Sequence, residues 1–517
     1  MLLSYCIVAK GDASSLHRCK AWAAAGASCL PPRRRRRLRA STSTPAQPLR
    51  LAHPARIPDR GAVLMSRSFV PRRSVLRGAL GAGALAAAAG PLAACAPGSS
   101  GSEPRKLTGT PSASAKGEIT IWNRSGDLFK VFDAAIDAFR KAYPDVKVNH
   151  QAVDIDAKLA NTLISGTDLP DGSFWDDAKI GGQVEHLYDL TDLIAPYRDK
   201  TSAYKLSVNT VGGRIYGVPW DLDPGLLWYR EDLLEDAGVD PAGLKTYDDL
   251  LAAARSLREK NPKARPLHME KDPFLGQLWL EMLAGQQGTS LADADGQVRL
   301  DSKEYRNILN WVRDAVDDDL VTHTEYLKQA DLAALENGQQ ALVPWAVWWS
   351  FAPQQLLKKG KGKWRAAPLP AWTPGGARSG AMGGSSFIIP AKAKNPELAW
   401  LLYEFLCFKE PGYSAVYGPS EVYPGGLTTS VPSYGPARRP DKPLFEPVAA
   451  LGGQDLWKVA VDAADTIPSA APIPAWWAKS VDYLGNNLQR LIEGKMAPDD
   501  VIDDSTKKIQ RNLVDRA

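Results

Sequence analysis

From residue 118 onward the chain alternates short β-branched runs with apolar residues at helical spacing, and this restricts its fold more than any other feature. Residues 118–122 (EITIW) read as a strand. Behind them Leu128, Val131, Phe132, Ala135, Ile136 and Phe139 recur at intervals of three and four, on one face of a helix capped by Asp127 and ended at Tyr143-Pro144. Residues 146–149 form a second strand, and a helix over 157–165 stops at Gly166. Strand, helix, strand, helix is the order of a parallel α/β lobe, so the expected fold class is α/β. Further on, 213–220 reads as a turn plus strand, and Thr246 and Asp249 as a capping box opening a helix through Lys260. Helices are expected over 274–285, 302–317 and 328–337, and strands over 340–344 and 386–390. Pro396 starts a helix with Leu398, Leu401, Leu402 and Phe405 on its apolar face and Cys407 as a small buried hydrophobe. Two more helices are expected, over 475–493 and 498–513.

The net charge of +5 is unevenly distributed. Residues 1–94 hold 16 Lys+Arg and 2 Asp+Glu, so of 63 basic and 58 acidic residues 47 and 56 remain, a balance of −9. An acidic folded part argues against nucleic acid as a partner. Cys6, Cys19, Cys29, Cys95 and Cys407 form no CxxC, and no His pair has HxxxH spacing. Neither a disulfide framework, a metal site nor a cofactor is expected, and no P-loop or GxSxG elbow occurs. Residues 71–77 (PRRSVLR) place Arg72 and Arg73 ahead of a Gly/Ala-rich apolar stretch over 78–94, which ends in Leu92-Ala93-Ala94-Cys95. This is similar to a twin-arginine export signal closed by a lipobox, and implies a lipid on Cys95. Seventeen residues interrupted by Pro91 are too short to span a bilayer well. Residues 1–64 are read as a non-native or disordered extension, with Met65 the initiator, 65–94 as the signal, and the Ser/Gly/Pro-rich 95–117 as a flexible tether. The expected location is the outer face of the cytoplasmic membrane.

Five sequence islands follow in order: EITIWNRSGD (118–127), LPDGSFWDD (169–177), IYGVPWDLDPGLLWYREDLL (215–234), ENGQQALVPWAVWWS (336–350) and GGSSFIIPAKAKNPELAWLLYEFL (383–406). Together they resemble the extracellular solute-binding proteins of carbohydrate ABC importers, the maltose-binding-like family. The resemblance implies two α/β lobes over 118–515, joined by a hinge that crosses several times, with a ligand cleft between them. Lobe 1 is expected over about 118–220 and 386–430, and lobe 2 over about 224–380 and 440–515. Hinge crossings are expected near 220–224 and 380–386, where Gly383 and Gly384 can absorb φ/ψ change. It further implies a monomer that hands its cargo to separate permease subunits.

Sugars present apolar C–H faces and a rim of hydroxyls, so a cleft for them needs flat aromatic rings beside carboxylates and amides. The candidates cluster in that way at strand ends, where open α/β sheets bind ligands. They are Asn123 and Arg124; Trp175, Asp176 and Asp177; Trp220, Asp221 and Asp223; Trp345 and Trp348 after a strand ending at Pro344; and Trp476 with Trp477. By resemblance Trp345 and one of Trp476/Trp477 are stacking rings, Asp223 and Trp175 are cleft positions, and Asp272 and Phe274 make a further contact. Gly383 and Tyr423 complete the expected set. Each Trp also has a plain reading as core packing, and Asp176/Asp177 as a helix cap. Two alternatives to sugar capture stay open. One is a secreted carbohydrate-active enzyme using Asp221 and Asp223, which share one strand face at i, i+2. The other is the same fold carrying a phosphate ester on Arg124 or Arg378, or a polyamine.

Overall fold

The computed structural model describes residues 105–516, apart from 112–113, 294, 439–445 and 470. Arg72, Arg73 and Cys95, with the expected signal, lie outside the described residues. The strands that build the sheets are β1 (Gly117–Arg124), β2 (Val146–Val153), β3 (Gly172–Asp176), β4 (Val218–Pro219), β5 (Asp221–Leu222), β6 (Gly225–Arg230), β7 (Leu267–Glu270), β8 (Val321–Thr324), β9 (Leu342–Ala346), β10 (Trp364–Pro368), β11 (Ser385–Ile388) and β12 (Val431–Pro432). They form two five-stranded sheets, ordered β2-β1-β3-β11-β4 and β8-β7-β9-β6-β10, and a small β12-β5 pair. In each sheet three strands run parallel and the other two include an antiparallel partner reached from elsewhere in the chain. β11 pairs with β3 although more than two hundred residues separate them in sequence, so the first sheet is completed by chain that has already built the second.

Helices cover both sheets: α1 (Asp127–Ala142), α2 (Ile155–Ser165), α3 (Asp177–Ile180), α4 (Tyr247–Lys260), α5 (Pro273–Gly285), α6 (Lys303–Asp317), α7 (Gln329–Glu336), α8 (Pro396–Phe408), α9 (Glu410–Tyr417), α10 (Leu456–Ala464), α11 (Trp477–Ser480), α12 (Asn486–Ile492) and α13 (Pro498–Ile509). In α1 the buried residues are Val131, Phe132, Ala135, Ile136 and Phe139, the stripe that the spacing predicts. Its cap is Gly126 at φ 122°, not Asp127; Asp127 is the first helical residue, and its carboxylate accepts the Tyr423 hydroxyl. The capping box of α4 forms in both directions: Thr246 Oγ1 accepts from Asp249 N at 3.2 Å, and Asp249 Oδ2 from Thr246 N at 2.8 Å.

The single helix expected over 475–493 is broken. α11 passes through a π turn (Val481–Gly485) before α12. A Cβ on Gly485 would stand 2.6 Å from the Pro273 carbonyl oxygen, so the turn lets this backbone lie directly on the start of α5. α13 likewise ends at Ile509 and continues as a π turn. β6, β7, β8 and β10 escape the sequence reading. β7 is buried at all four positions and β6 at all but one, so neither shows an alternating pattern.

Candidate functional site

Charged residues gather at the carboxyl ends of β1 and β3, and Lys179 on α3 lies over the Phe274 ring at the start of α5. At the end of β1 and β3, Arg124 donates to both oxygens of Asp176 at 2.9 and 3.0 Å and to Asp156 at 3.3 Å. Lys179, on α3, reaches the same two acids at 2.6 and 2.8 Å. Burial pushes the Asp176 carboxyl up, but Arg124 and Lys179 outweigh it and hold it well below the usual carboxylate range. Asp176 in turn is the main reason the Arg124 guanidinium is held charged even more firmly than usual. The four groups neutralise each other in a fixed frame. Asn123 is buried behind it, its side-chain oxygen accepting the Arg124 N–H at 2.8 Å.

A second cluster surrounds Lys205, whose side chain is wholly buried. Its ammonium reaches Asp177 at 2.5 Å, the Ser385 carbonyl at 2.6 Å and Asp221 at 3.5 Å. Asp177 also accepts from Ser386 Oγ at 2.7 Å, and Asp221 from Ser385 N at 2.6 Å and Ser430 Oγ at 3.1 Å. Asp223 is 7% exposed, and its carboxyl has no hydrogen-bond partner among the described residues. Three carboxyls thus surround one ammonium. Burial, opposed mainly by Lys205, raises Asp221 to about 6. Burial and the neighbouring Asp221 lift Asp223 well above the ordinary carboxylate value. Gly383 (φ 91°) and Gly384 (φ 112°) line this cluster. A Cβ on Gly384 would sit 2.8 Å from Asp177 Oδ2, so a side chain there would displace the carboxylate.

Aromatic rings stand on the opposing edge. Trp345 lies within β9, which runs on to Ala346, not beyond a strand ending at Pro344. It is fully buried and stacks on Tyr326 with centroids 5.7 Å apart. Trp348 is half-buried, edge-on to Tyr326 at 5.0 Å and to Trp345 at 5.4 Å, and its Nε1 donates to the Met382 carbonyl at 3.3 Å. Phe274 stands edge-on to Trp477 at 5.7 Å, and the Lys179 ammonium lies 4.9 Å above the Phe274 ring, joining the two edges. Tyr204, half-buried, lies near Asp177, Glu281 and Asp223, and burial followed by those charges raises its phenol.

Of the residues singled out from sequence, the fold gathers Arg124, Asp176, Asp177, Asp221, Asp223 and Gly383 on one side, and Trp348, Phe274 and Trp477 on the other. Several others hold the frame instead. Trp220 is 2% exposed and packed in a cage of Phe132, Phe174 and Phe387, with Phe132 at 5.0 Å, because the link between β4 and β5 turns it into the first sheet's core. Trp175 is buried to the same degree on β3. Asp272 spends its carboxylate capping α5, accepting from Phe274 N and Leu275 N at 2.9 and 3.0 Å. Trp476 is buried and donates to the Gly296 carbonyl at 3.1 Å, and Tyr423 ties its loop to Asp127. Strand β5 covers only Asp221 and Leu222, so Asp221 and Asp223 do not share a strand face, and Asp221 is fully engaged. Arg124 gives its Nη2 to two carboxylates while its buried Nε has no partner among the described residues, and Arg378 donates Nε and Nη2 to the carbonyls of Leu369, Leu244 and Pro368. Lys205, Tyr204 and Tyr326 were not legible in advance, since a lone lysine or tyrosine in a mixed segment carries no periodic or motif signal.

The family model described as bacterial extracellular solute-binding protein matches residues 124–411. The arabinooligosaccharide-binding protein of Bacillus subtilis (strain 168) is 27% identical over 307 residues, 57% of this chain and 69% of that protein. The protein of the same name in Halalkalibacterium halodurans is 24% identical, and this chain spans 65% of it. The lactose-binding protein of Rhizobium radiobacter is 24% identical over 69% of this chain and 84% of that one. Among solved structures, the ABC-transporter-associated binding protein of B. animalis subsp. lactis Bl-04 in complex with β-1,6-galactobiose superposes with a TM-score of 0.63 at 18% identity, covering 78% of this chain and 98% of that one. Maltose-bound MalE3 of T. maritima gives 0.62 at 22% identity. These likenesses show a shared two-lobe fold.

Proposed function

The chain belongs to the bacterial extracellular solute-binding protein family, and from that premise we propose that it captures a sugar or oligosaccharide between its lobes and delivers it to the permease subunits of an ABC importer. The observation that carries this is the pairing of Asp223, 7% exposed and with no hydrogen-bond partner for its carboxyl among the described residues, with the half-buried rings of Trp348, Phe274 and Tyr326. Asp223 accepts or donates to sugar hydroxyls according to its protonation, and the rings take the C–H faces. We take the lobes as about 118–220 with 386–430 and about 224–380 with 440–515, a division that the two separate five-stranded sheets support. Sugar that touches both edges favours their approach and shifts the population toward the closed form, which docks on the permease. A lipid on Cys95 would keep the protein at the membrane through a tether shorter than the expected 95–117, because Arg105 and Leu107 pair with Asp189 and Leu107 is buried in the folded part. Replacing Cys95 by Ala is then expected to release the protein from the membrane fraction.

The relatives named for arabinooligosaccharides and lactose, and the solved complexes with galactobiose and maltose, set the test panel. Calorimetry with arabinotriose, lactose, β-1,6-galactobiose and maltose is expected to show at least one ligand bound and recovered intact. Trp348→Ala and Asp223→Asn should each weaken that ligand about tenfold or more, as truncation of a central desolvated contact does. If no member binds, or both variants bind as the parent does, the site is misassigned; cleavage of the ligand would instead favour the enzyme alternative.

A further inference from the structure

Beneath Tyr326 and Trp345 lies a buried ionic group for which sugar capture has no direct use. His268, on β7, is 2% exposed, with Nδ1 3.5 Å from Asp331 Oδ1 and Nε2 3.8 Å from Glu270 Oε2. Both acids are sealed from solvent. Among the described residues no other basic side chain forms an ion pair with either of them.

The two carboxylates do specific work on the backbone. Glu270 accepts the N–H groups of Lys271 at 2.8 Å, Asp272 at 2.6 Å and Tyr326 at 3.1 Å. Asp331, on α7, accepts the Leu327 N–H at 3.0 Å, the Thr324 hydroxyl at 2.9 Å and the Gln340 amide at 3.0 Å. Together they grip consecutive N–H groups, those of Tyr326 and Leu327. Leu327 is left-handed at φ 55°, a conformation that a leucine keeps only where its surroundings impose it. This turn sets the Tyr326 ring at 18° to Trp345, and His268 itself stands edge-on to Trp345 at 5.3 Å.

We propose that His268 is a positioning residue: as an imidazolium it neutralises Glu270 and Asp331, and so lets them hold the Tyr326–Leu327 turn that fixes the aromatic face. Without its proton, two buried carboxylates oppose each other across a neutral ring, and their shared grip on the turn weakens. The groups facing the ring are Glu270 from β7, Asp331 from α7, Thr324 from β8, Gln340 just before β9 and Trp345 within it; Asp127 and Tyr423 lie beyond Tyr326. Burial works against the charged ring, but Glu270 and Asp331 outweigh it and hold its pKa above the ordinary 6.5. The support is therefore complete below 6.5 and is lost as pH rises through the folded value. The hold on the turn stands independently of sugar binding; only its effect on affinity rests on that reading.

Hydrogen exchange on the full chain, followed by mass spectrometry from about pH 5 to about pH 9, tests this alongside a titration of the histidine rings by NMR. Protection factors in the segment 325–331 should fall about tenfold across the pH at which His268 titrates, while β1 and β2 keep theirs. His268→Gln should show the low protection already at acid pH and lose the step. Adding Glu270→Gln removes a negative charge along with the positive one and should recover most of the protection. A parent protein with no step, a step shared equally by β1 and β2, or parental protection in His268→Gln would each overturn the proposal; if His268→Gln does not fold, the parent's step decides. A sugar from the panel, where one binds, should weaken with pH in parallel. A clear step in a protein that binds no member of the panel would sink the sugar reading and leave this one standing.

Discussion

At the scale of single residues the decisive group is Lys205. Among the described residues it is the cation that pairs with Asp177 and Asp221, and its side chain is wholly buried. Lys205→Met keeps the volume and removes the charge, leaving carboxylates uncompensated. Breaking a buried pair in this way costs about 3–5 kcal/mol, so urea unfolding should show a loss of that size. A loss below about 1 kcal/mol would mean that the acids are neutral in the folded protein and do not depend on the lysine. Such a hub is invisible in a linear reading, because Lys205 follows Tyr204 in a short helix with nothing to mark it. Asp221 and Asp223 were legible because acids beside a Trp at a strand end form a local pattern. That Asp223 is left unpaired while Asp221 is engaged was not, since the partners Ser385 and Ser430 come from far along the chain.

At the scale of elements, local chemistry and tertiary packing separate cleanly. The α4 capping box depends on residues three apart, and Thr246→Ala should cost about 1 kcal/mol, measurable as a lowered unfolding midpoint. The π turn before α12 depends on a neighbour: Gly485 lies against Pro273, two hundred residues earlier in sequence. Gly485→Ala inserts a methyl where 2.6 Å is available, and should lower the midpoint more than Thr246→Ala does, although alanine is the better helix former. The reverse order would show that the helix yields there easily. Helices such as α1 and α6 could be read from periodicity because one face is buried and the other wet. β6 and β7 could not, because they are buried on both faces.

At the scale of the whole molecule the perturbed carboxyls give a signed pH dependence. Asp221 near 6 and Glu281 near 7 stand above their unfolded values, mainly through burial, so the folded state binds more protons and stability falls as pH rises through those values. Asp176, depressed by Arg124 and Lys179 against burial, acts oppositely: its contribution is present above its unfolded value and is lost as pH falls below it. The balance places greatest thermal stability in mildly acidic solution, with a higher melting temperature at about pH 5 than at about pH 7.5. Asp221→Asn should flatten that slope; an unchanged slope would remove Asp221 as its source. The amino-acid sequence by itself determined the α/β class, the order of most helices and the family islands, because periodicity, caps and short motifs act between residues close along the chain. Only the tertiary structure decided that Trp220 and Trp175 serve the core while Trp348 and Phe274 stay half-buried. Which face of a strand is sealed depends on helices and strands that arrive from distant parts of the chain, and that packing, not residue type, settles whether an indole is buried or left accessible.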